Sequence, residues 1–187
     1  MKTLYTILFF TISFFISAQE ANKFRFGIDT GLVPSKGFTV GIEPKFNISD
    51  IMNVGLKIST GSFTETINEC DFTKTQFSIM GTYDYYFDVT NSRFVPFAGA
   101  GLGIAGTTFD KFDTSNSADS SGFSEMIRLG FEFGKFRLAL SYDIVPSTTI
   151  QSSYYDSFLN QTITTDYTIK NSYFGISTGF YFGGGKW

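Results

Sequence analysis

Ser172-Tyr173-Phe174-Gly175-Ile176-Ser177-Thr178-Gly179-Phe180-Tyr181-Phe182 alternates two kinds of residue. The even positions from Phe174 to Phe182 are apolar apart from Thr178, and the odd positions between them are Gly175, Ser177, Gly179 and Tyr181. Side chains alternate faces along a strand, so one face here is bulky and apolar and the other is small and polar. The sequence continues only through Gly183-Gly184-Gly185-Lys186-Trp187.

The same period runs back through the chain in short segments separated by polar connections. They are Phe24–Leu32, Phe38–Ile48, Val54–Ser59, Thr75–Phe87, Phe94–Ala105, Phe123–Phe133 and Phe136–Ile144, which with the last segment make eight strands. Gly134-Lys135 joins the sixth and seventh as a hairpin, and Asp88–Arg93 carries the Thr, Asn and Ser of a turn. The second, fourth and sixth connections are short and the third, fifth and seventh are long, and only the first, short where a longer loop would fit, breaks the alternation. The long ones, Ser62–Lys74, Thr107–Gly122 and Val145–Asp166, read as loops. Alternating tight turns with long loops around an even number of strands predicts an eight-stranded antiparallel up-and-down transmembrane β-barrel. Helical periodicity is absent after the first segment of the chain.

That first segment has its own chemistry. Lys2 precedes an apolar run from Leu4 to Ile16, and Ser17-Ala18 supplies small residues before Gln19. This is the pattern of a secretory signal peptide, residues 1–18, cut after Ala18. The run is about a dozen residues where a spanning helix needs roughly 20. Residues 19–187 are then one domain, the barrel. A net charge of −3 without a basic cluster argues against a nucleic-acid partner. Cys70 is the single cysteine, so no disulfide forms within the chain, and its place is a surface loop.

Alternation alone does not say which face meets lipid, because a soluble lipocalin-type barrel alternates with its apolar face inward. The polar face decides. It carries Arg25, Lys45, Lys57, Arg128 and Arg137 against Asp29, Glu43, Asp84, Glu132 and Asp143, five of each sign, among many glycines. Glycine on a solvated exterior only weakens strands, whereas inside a narrow barrel it makes room for long side chains. Lys and Arg on the lipid face would each cost about 2–4 kcal/mol near the midplane. The apolar face is therefore placed outward and the ten charges inward, as a paired network that holds the barrel. Glu125 and Lys170 fall on the outward parity near the long-loop ends, above the hydrocarbon. Tyr83, Tyr85, Phe87, Phe94, Phe180 and Phe182 gather near the short turns, where an interfacial girdle belongs.

On these residues the chain resembles the small outer-membrane β-barrel families typified by OmpX, the OmpA membrane domain and OmpW. The likeness covers all of residues 19–187. Arg93-Phe94-Val95-Pro96-Phe97-Ala98-Gly99-Ala100-Gly101-Leu102-Gly103 is similar to a glycine-alternating strand common in such barrels. The ending Phe180–Lys186 looks like that of Bacteroidetes-type members, although Ser177 stands where a glycine is often found. The resemblance implies a bacterial outer-membrane location, lipid as the surrounding partner, and recognition of the Phe180 and Phe182 strand by the barrel assembly machinery. It implies no cofactor. Members include adhesion-related proteins, membrane–wall tethers and small-molecule channels, so the function stays open among these.

Motifs for chemistry fail on context. Gly101-Leu102-Gly103-Ile104-Ala105-Gly106 matches a dinucleotide fingerprint by letter, but a Ser/Asp-rich stretch follows it instead of a helix. Asp110, Asp113, Ser115, Ser117 and Asp119 supply oxygens, but without the glycine and terminal Glu of a calcium loop. The sequons at Asn47 and Asn160 have no meaning in a bacterial context. The chain contains no histidine, which removes histidine triads, histidine zinc sites and a histidine base. Carboxylate pairs such as Asp29 with Glu43, or Glu132 with Asp143, have cations beside them and read as structural. The expectation is a non-enzymatic barrel presenting its loops for structural or surface interaction. Its alternatives are a narrow conduit for small or hydrophobic solutes and a soluble secreted barrel with an apolar ligand.

Overall fold

The computed structural model describes residues 21–34, 36–67, 70–87, 94–110, 118–156 and 161–184. These form ten strands: β1 (Phe24–Val33), β2 (Gly37–Ser49), β3 (Met52–Ile67), β4 (Cys70–Tyr86), β5 (Phe94–Asp110), β6 (Ala118–Phe133), β7 (Phe136–Ile144), β8 (Thr148–Asp156), β9 (Gln161–Ile169) and β10 (Tyr173–Gly183). Eight of them close a barrel in the order β1-β10-β7-β6-β5-β4-β3-β2, while β8 and β9 pair separately. Every pairing is antiparallel. The all-β, eight-stranded closed barrel expected from the alternation is what forms, with a hairpin added to it.

The register follows from the period of two. At the seam, β10 meets β1 with Phe180 opposite Ile28, Thr178 opposite Thr30 and Ile176 opposite Leu32. Slipping by one residue would turn every apolar side chain inward, so the pattern itself fixes the pairing. At the β6–β7 turn Gly134 takes φ 59°, a left-handed conformation that glycine adopts without cost. Outward positions are strongly exposed, for example Leu32, Leu102, Ile104, Ile127, Leu129 and Phe174. Inward ones are buried and mostly polar, which is the reverse of a soluble core.

Three segments differ from the expected loops. β3 and β4 continue through Ser62–Lys74 until Ile67 faces Cys70. Cys70 thus opens a strand and does not lie in a loop. β5 and β6 likewise stay paired into both ends of Thr107–Gly122, up to Phe109 opposite Ala118. Val145–Asp166, expected to be irregular, contains β8 and most of β9, paired from Thr148 and Ile169 to Asp156 and Gln161. The reason is shared by β3 to β6. Their outward positions change to Thr60, Ser62, Thr64, Thr73, Thr75 and Thr108, so the apolar half of the alternation stops while the backbone ladder goes on. Threonine suits a pleated surface, and its hydroxyl suits water. The signal segment 1–18, the turn at Asp88–Arg93, Asp113, Ser115, Ser117 and the Lys186-Trp187 end lie outside the described residues.

Candidate functional site in the barrel lumen

The lumen holds a layered set of charges. In the lower layer, toward the short turns, Arg25, Glu43, Lys45, Asp84, Arg128, Glu132 and Arg137 are each at most 5% exposed. Alternation brings them inward from β1, β2, β4, β6 and β7, and side chains long enough to cross the barrel meet at its axis. Arg128 is the centre. Its Nε donates to Asp84 Oδ1 at 2.8 Å and its Nη2 donates to Glu43 Oε1 at 2.6 Å and Asp84 Oδ2 at 3.0 Å. Nη1 adds a bond to Glu43 Oε2 at 3.2 Å. Lys45 donates to Asp84 and lies 3.4 Å from Glu43.

Arg137 donates to Asp84 Oδ2 at 3.1 Å and to the Tyr181 hydroxyl at 2.8 Å, with its guanidinium 3.6 Å from the Phe97 ring centroid. Arg25 donates to Glu132 Oε2 at 2.7 Å and lies over the Tyr181 ring. Two phenols connect the charges. The Tyr86 hydroxyl donates to Glu132 Oε1 at 2.8 Å, and the Tyr181 hydroxyl donates to Glu43 Oε2 at 2.7 Å. Thr82 donates to Glu43 and Asn53 to Tyr86. Hydrogen bonds to ionised groups are about twice as strong as neutral ones, and here each carboxylate receives several.

This crowding needs small neighbours. A Cβ on Gly99 would run into the Asp84 carboxylate, and one on Gly27 into the Tyr181 ring. Glycine at these inward positions is set by the approach of another side chain.

The other three charges stand one layer higher. Lys57 donates to Asp29 Oδ1 at 2.9 Å. Asp143 is 7% exposed and accepts from Ser141 Oγ at 2.9 Å, without a cation within 4.0 Å among the described residues. A cavity of about 20 Å³ lies among Lys57, Asp143, Ser59, Ser141 and Tyr173, space on the order of one water. The sequence pairs Asp29 with Glu43 and Glu132 with Asp143 as neighbours. The structure instead puts Glu43 and Glu132 in the lower layer and Asp29 and Asp143 in the upper one.

Above this, Phe63 and Tyr173 meet at 5.0 Å between ring centroids, and Lys74 approaches the Phe63 ring. Asn171 is fully buried and donates to Pro146 O at 2.5 Å and Thr148 Oγ1 at 2.8 Å. Outside the barrel at the short-turn end, Phe182 and Phe180 meet edge to face at 5.1 Å, and Tyr85 and Phe87 at 5.4 Å. Glu125 is exposed on the outward face of β6, and Lys170 is exposed between β9 and β10.

Sequence reasoning missed Tyr86 and Tyr181 as members of the network, together with Asn53 and Thr82. Their inward parity was the available signal, since it is the parity of Asp84 and Gly179. Among the described residues no group of three or more His, Cys, Asp or Glu is placed to hold a metal ion.

A family model described as outer membrane protein beta-barrel domain matches residues 6–182. A comparison with curated proteins finds none that matches. Among solved structures, the outer membrane protein OprG from Pseudomonas aeruginosa is similar at 18% identity and a TM-score of 0.55, covering 89% of this chain and 99% of that one. Neisserial surface protein A is similar at 16% identity and a TM-score of 0.51, covering 85% and 93%. At these identities the likeness is one of fold.

Proposed function

The chain belongs to the outer membrane protein beta-barrel domain family, and from that premise we propose a non-enzymatic barrel whose lumen is plugged by its own charges and whose outer end serves structural or surface interaction. The observation that carries the reading is the lower layer. Seven charged side chains and two phenols bridge wall to wall. Above them, among the described residues, lies a cavity of about 20 Å³. A passage for solute would have to break several buried charge-assisted bonds, so the plug reading stands ahead of the conduit. An apolar exterior around a charged interior opposes the soluble ligand-binding barrel.

The upper halves of β3 to β6 and the β8–β9 hairpin rise beyond the apolar band and offer hydroxyl-bearing surface to whatever lies outside. Export by the segment 1–18 and folding through the Phe180 and Phe182 strand complete the proposal.

The test is gel mobility of the outer-membrane fraction, boiled against unboiled, followed by conductance in planar bilayers. A faster unboiled band with silent bilayers is the expected result. Steady single-channel steps would transfer the function to the conduit. A soluble protein without a mobility shift would sink the lipid-facing assignment itself.

A further inference from the structure

Gly106 lies on the outward face of β5, where a Cβ would make only ordinary van der Waals contacts. The nearest atoms would be Ser120 O at 3.7 Å and Ser121 Cβ at 3.9 Å. By contrast, a Cβ on Gly103 would run into Ile79 O. Gly106 has no positive φ either. Neither packing nor conformation requires glycine here, although glycine weakens a strand, and a strand glycine of this kind allows a ligand to approach the backbone closely.

Gly106 lies in a depression of about 360 Å³ whose lining includes Thr75, Phe77, Thr108, Asp119 and Ser121. The register arranges its surroundings in rows. Phe77, Gly106 and Ser121 lie side by side across β4, β5 and β6. Thr75, Thr108 and Asp119 form the outward row above, and Ile79, Ile104 and Phe123 the row below. Ile104 and Phe123 are 62% and 61% exposed and belong to the apolar band. The depression thus straddles the line where the wall changes from hydrocarbon-facing to hydroxyl-bearing.

We propose that this depression seats the sugar headgroup of a membrane glycolipid, with its acyl chain continuing down over Ile104 and Phe123. The inference rests on the lipid-embedded barrel above. Continuity with the apolar band supplies the acyl path. The headgroup follows from the charges. Among the described residues the lining carries one carboxylate and no cation, and Lys74, on this stretch of β4, is turned inward to Glu65. An anionic phosphate would face Asp119 uncompensated. A sugar is uncharged, brings several O–H donors to Asp119, and exchanges hydrogen bonds with three hydroxyls. Phe77, 51% exposed, offers a ring for its C–H face.

The full chain is reconstituted in phosphatidylcholine vesicles containing either monogalactosyl diacylglycerol or phosphatidylglycerol, and lipid retained after detergent extraction is read by native mass spectrometry. Wild type is expected to keep the galactolipid over phosphatidylglycerol by about fivefold or more, the ratio that one net hydrogen bond supplies. Gly106→Leu projects a side chain into the depression and is expected to fall to the bulk ratio, and Asp119→Asn to lie between. The unboiled gel band shows that each variant is a folded barrel, so loss of that band in wild type would count against the barrel and not the site. Equal retention of the two lipids by wild type, or unchanged retention in Gly106→Leu, overturns the site. Preference for phosphatidylglycerol overturns the sugar, and displacement of the lipid by free methyl galactoside overturns the membrane source.

Discussion

Arg128 links β6 to β2 and β4 through one planar guanidinium shared between Glu43 and Asp84. Replacing it with Ala leaves both carboxylates in place, with Lys45 close to both, Arg137 on Asp84, and Thr82 and Tyr181 on Glu43. Breaking a buried pair from one side costs about 3–5 kcal/mol, because an undercompensated charge stays behind. Arg128→Ala is expected to lower the unfolding free energy from urea titration in detergent by that amount, with a lower midpoint, and Arg128→Lys by less, since charge returns without the fork. An unchanged midpoint in Arg128→Ala would remove the plug as a source of stability. The shared parity of the ten charges was legible in the sequence. Their partners were not, because Arg25 and Glu132 are 107 residues apart and meet only when the barrel closes. Tyr86 and Tyr181 were hidden for another reason. A tyrosine near a short turn looks like a girdle residue until its hydroxyl is seen to bond a buried glutamate.

At the scale of the strand, the upper half of β3 is tied to its surroundings by Glu65. Its carboxylate accepts from Lys36 Nζ at 2.7 Å, in the β1–β2 turn, and from Lys74 Nζ at 3.3 Å on β4. These groups stand above the apolar band. Partial burial pushes the Glu65 carboxyl up, but the Lys36 hydrogen bond and the charges of Lys74 and Lys36 outweigh it and hold the group below the usual range. The two partners differ, since burial holds the Lys74 ammonium below the ordinary lysine value despite the pull of Glu65. For acid behaviour the carboxylate decides. Its folded value is depressed, so its contribution is complete above the unfolded value of about 4.3 and is lost as pH falls through the folded value. Hydrogen-exchange protection factors in residues 60–67, taken against the intrinsic rate at each pH, should therefore fall across that acid window in wild type. Glu65→Gln should exchange faster at neutral pH and show a flatter acid response. The same acid slope in both proteins would mean that the Glu65 pairs do not hold the strand. The existence of β3 to β6 was legible in the sequence, and their ends were not. Period-two reading depends on an apolar face, and Thr60, Ser62, Thr64, Thr73 and Thr75 give none.

For the molecule as a whole, strand length divides the barrel into an anchor and a projection. A crossing strand needs about 9–11 residues, which β1, β7 and β10 just supply with 10, 9 and 11. With 16 or 17 residues each, β3 to β6 overshoot by about six, on the order of 20 Å along the strand at about 3.3 Å per residue. The inside-out arrangement was legible because ten charges cannot face lipid, while the shape of the projection depends on hydroxyl residues with little hydrophobic pattern. The β8–β9 hairpin belongs to the projection. Its root is held by Asn171 on Pro146 and Thr148 and by Ser120 on Thr148, and it shares no ladder with the barrel. An isolated two-stranded hairpin is marginal in water, so the barrel is expected to stabilise the hairpin and not the reverse. Joining Pro146 directly to Asn171 tests this. The new ends already meet, since Asn171 Nδ2 donates to Pro146 O at 2.5 Å and Val145 N donates to Ser172 Oγ at 3.2 Å. Asp143 stays opposite Tyr173, so β7 and β10 keep their register across a short connection. The shortened protein is expected to keep its faster unboiled band and an unfolding free energy from urea titration within about 1 kcal/mol of wild type, because no barrel ladder and none of the lumen charges is lost. A shortened chain that no longer shows the folded band would make the hairpin part of barrel closure, and the division into anchor and projection would fail with it.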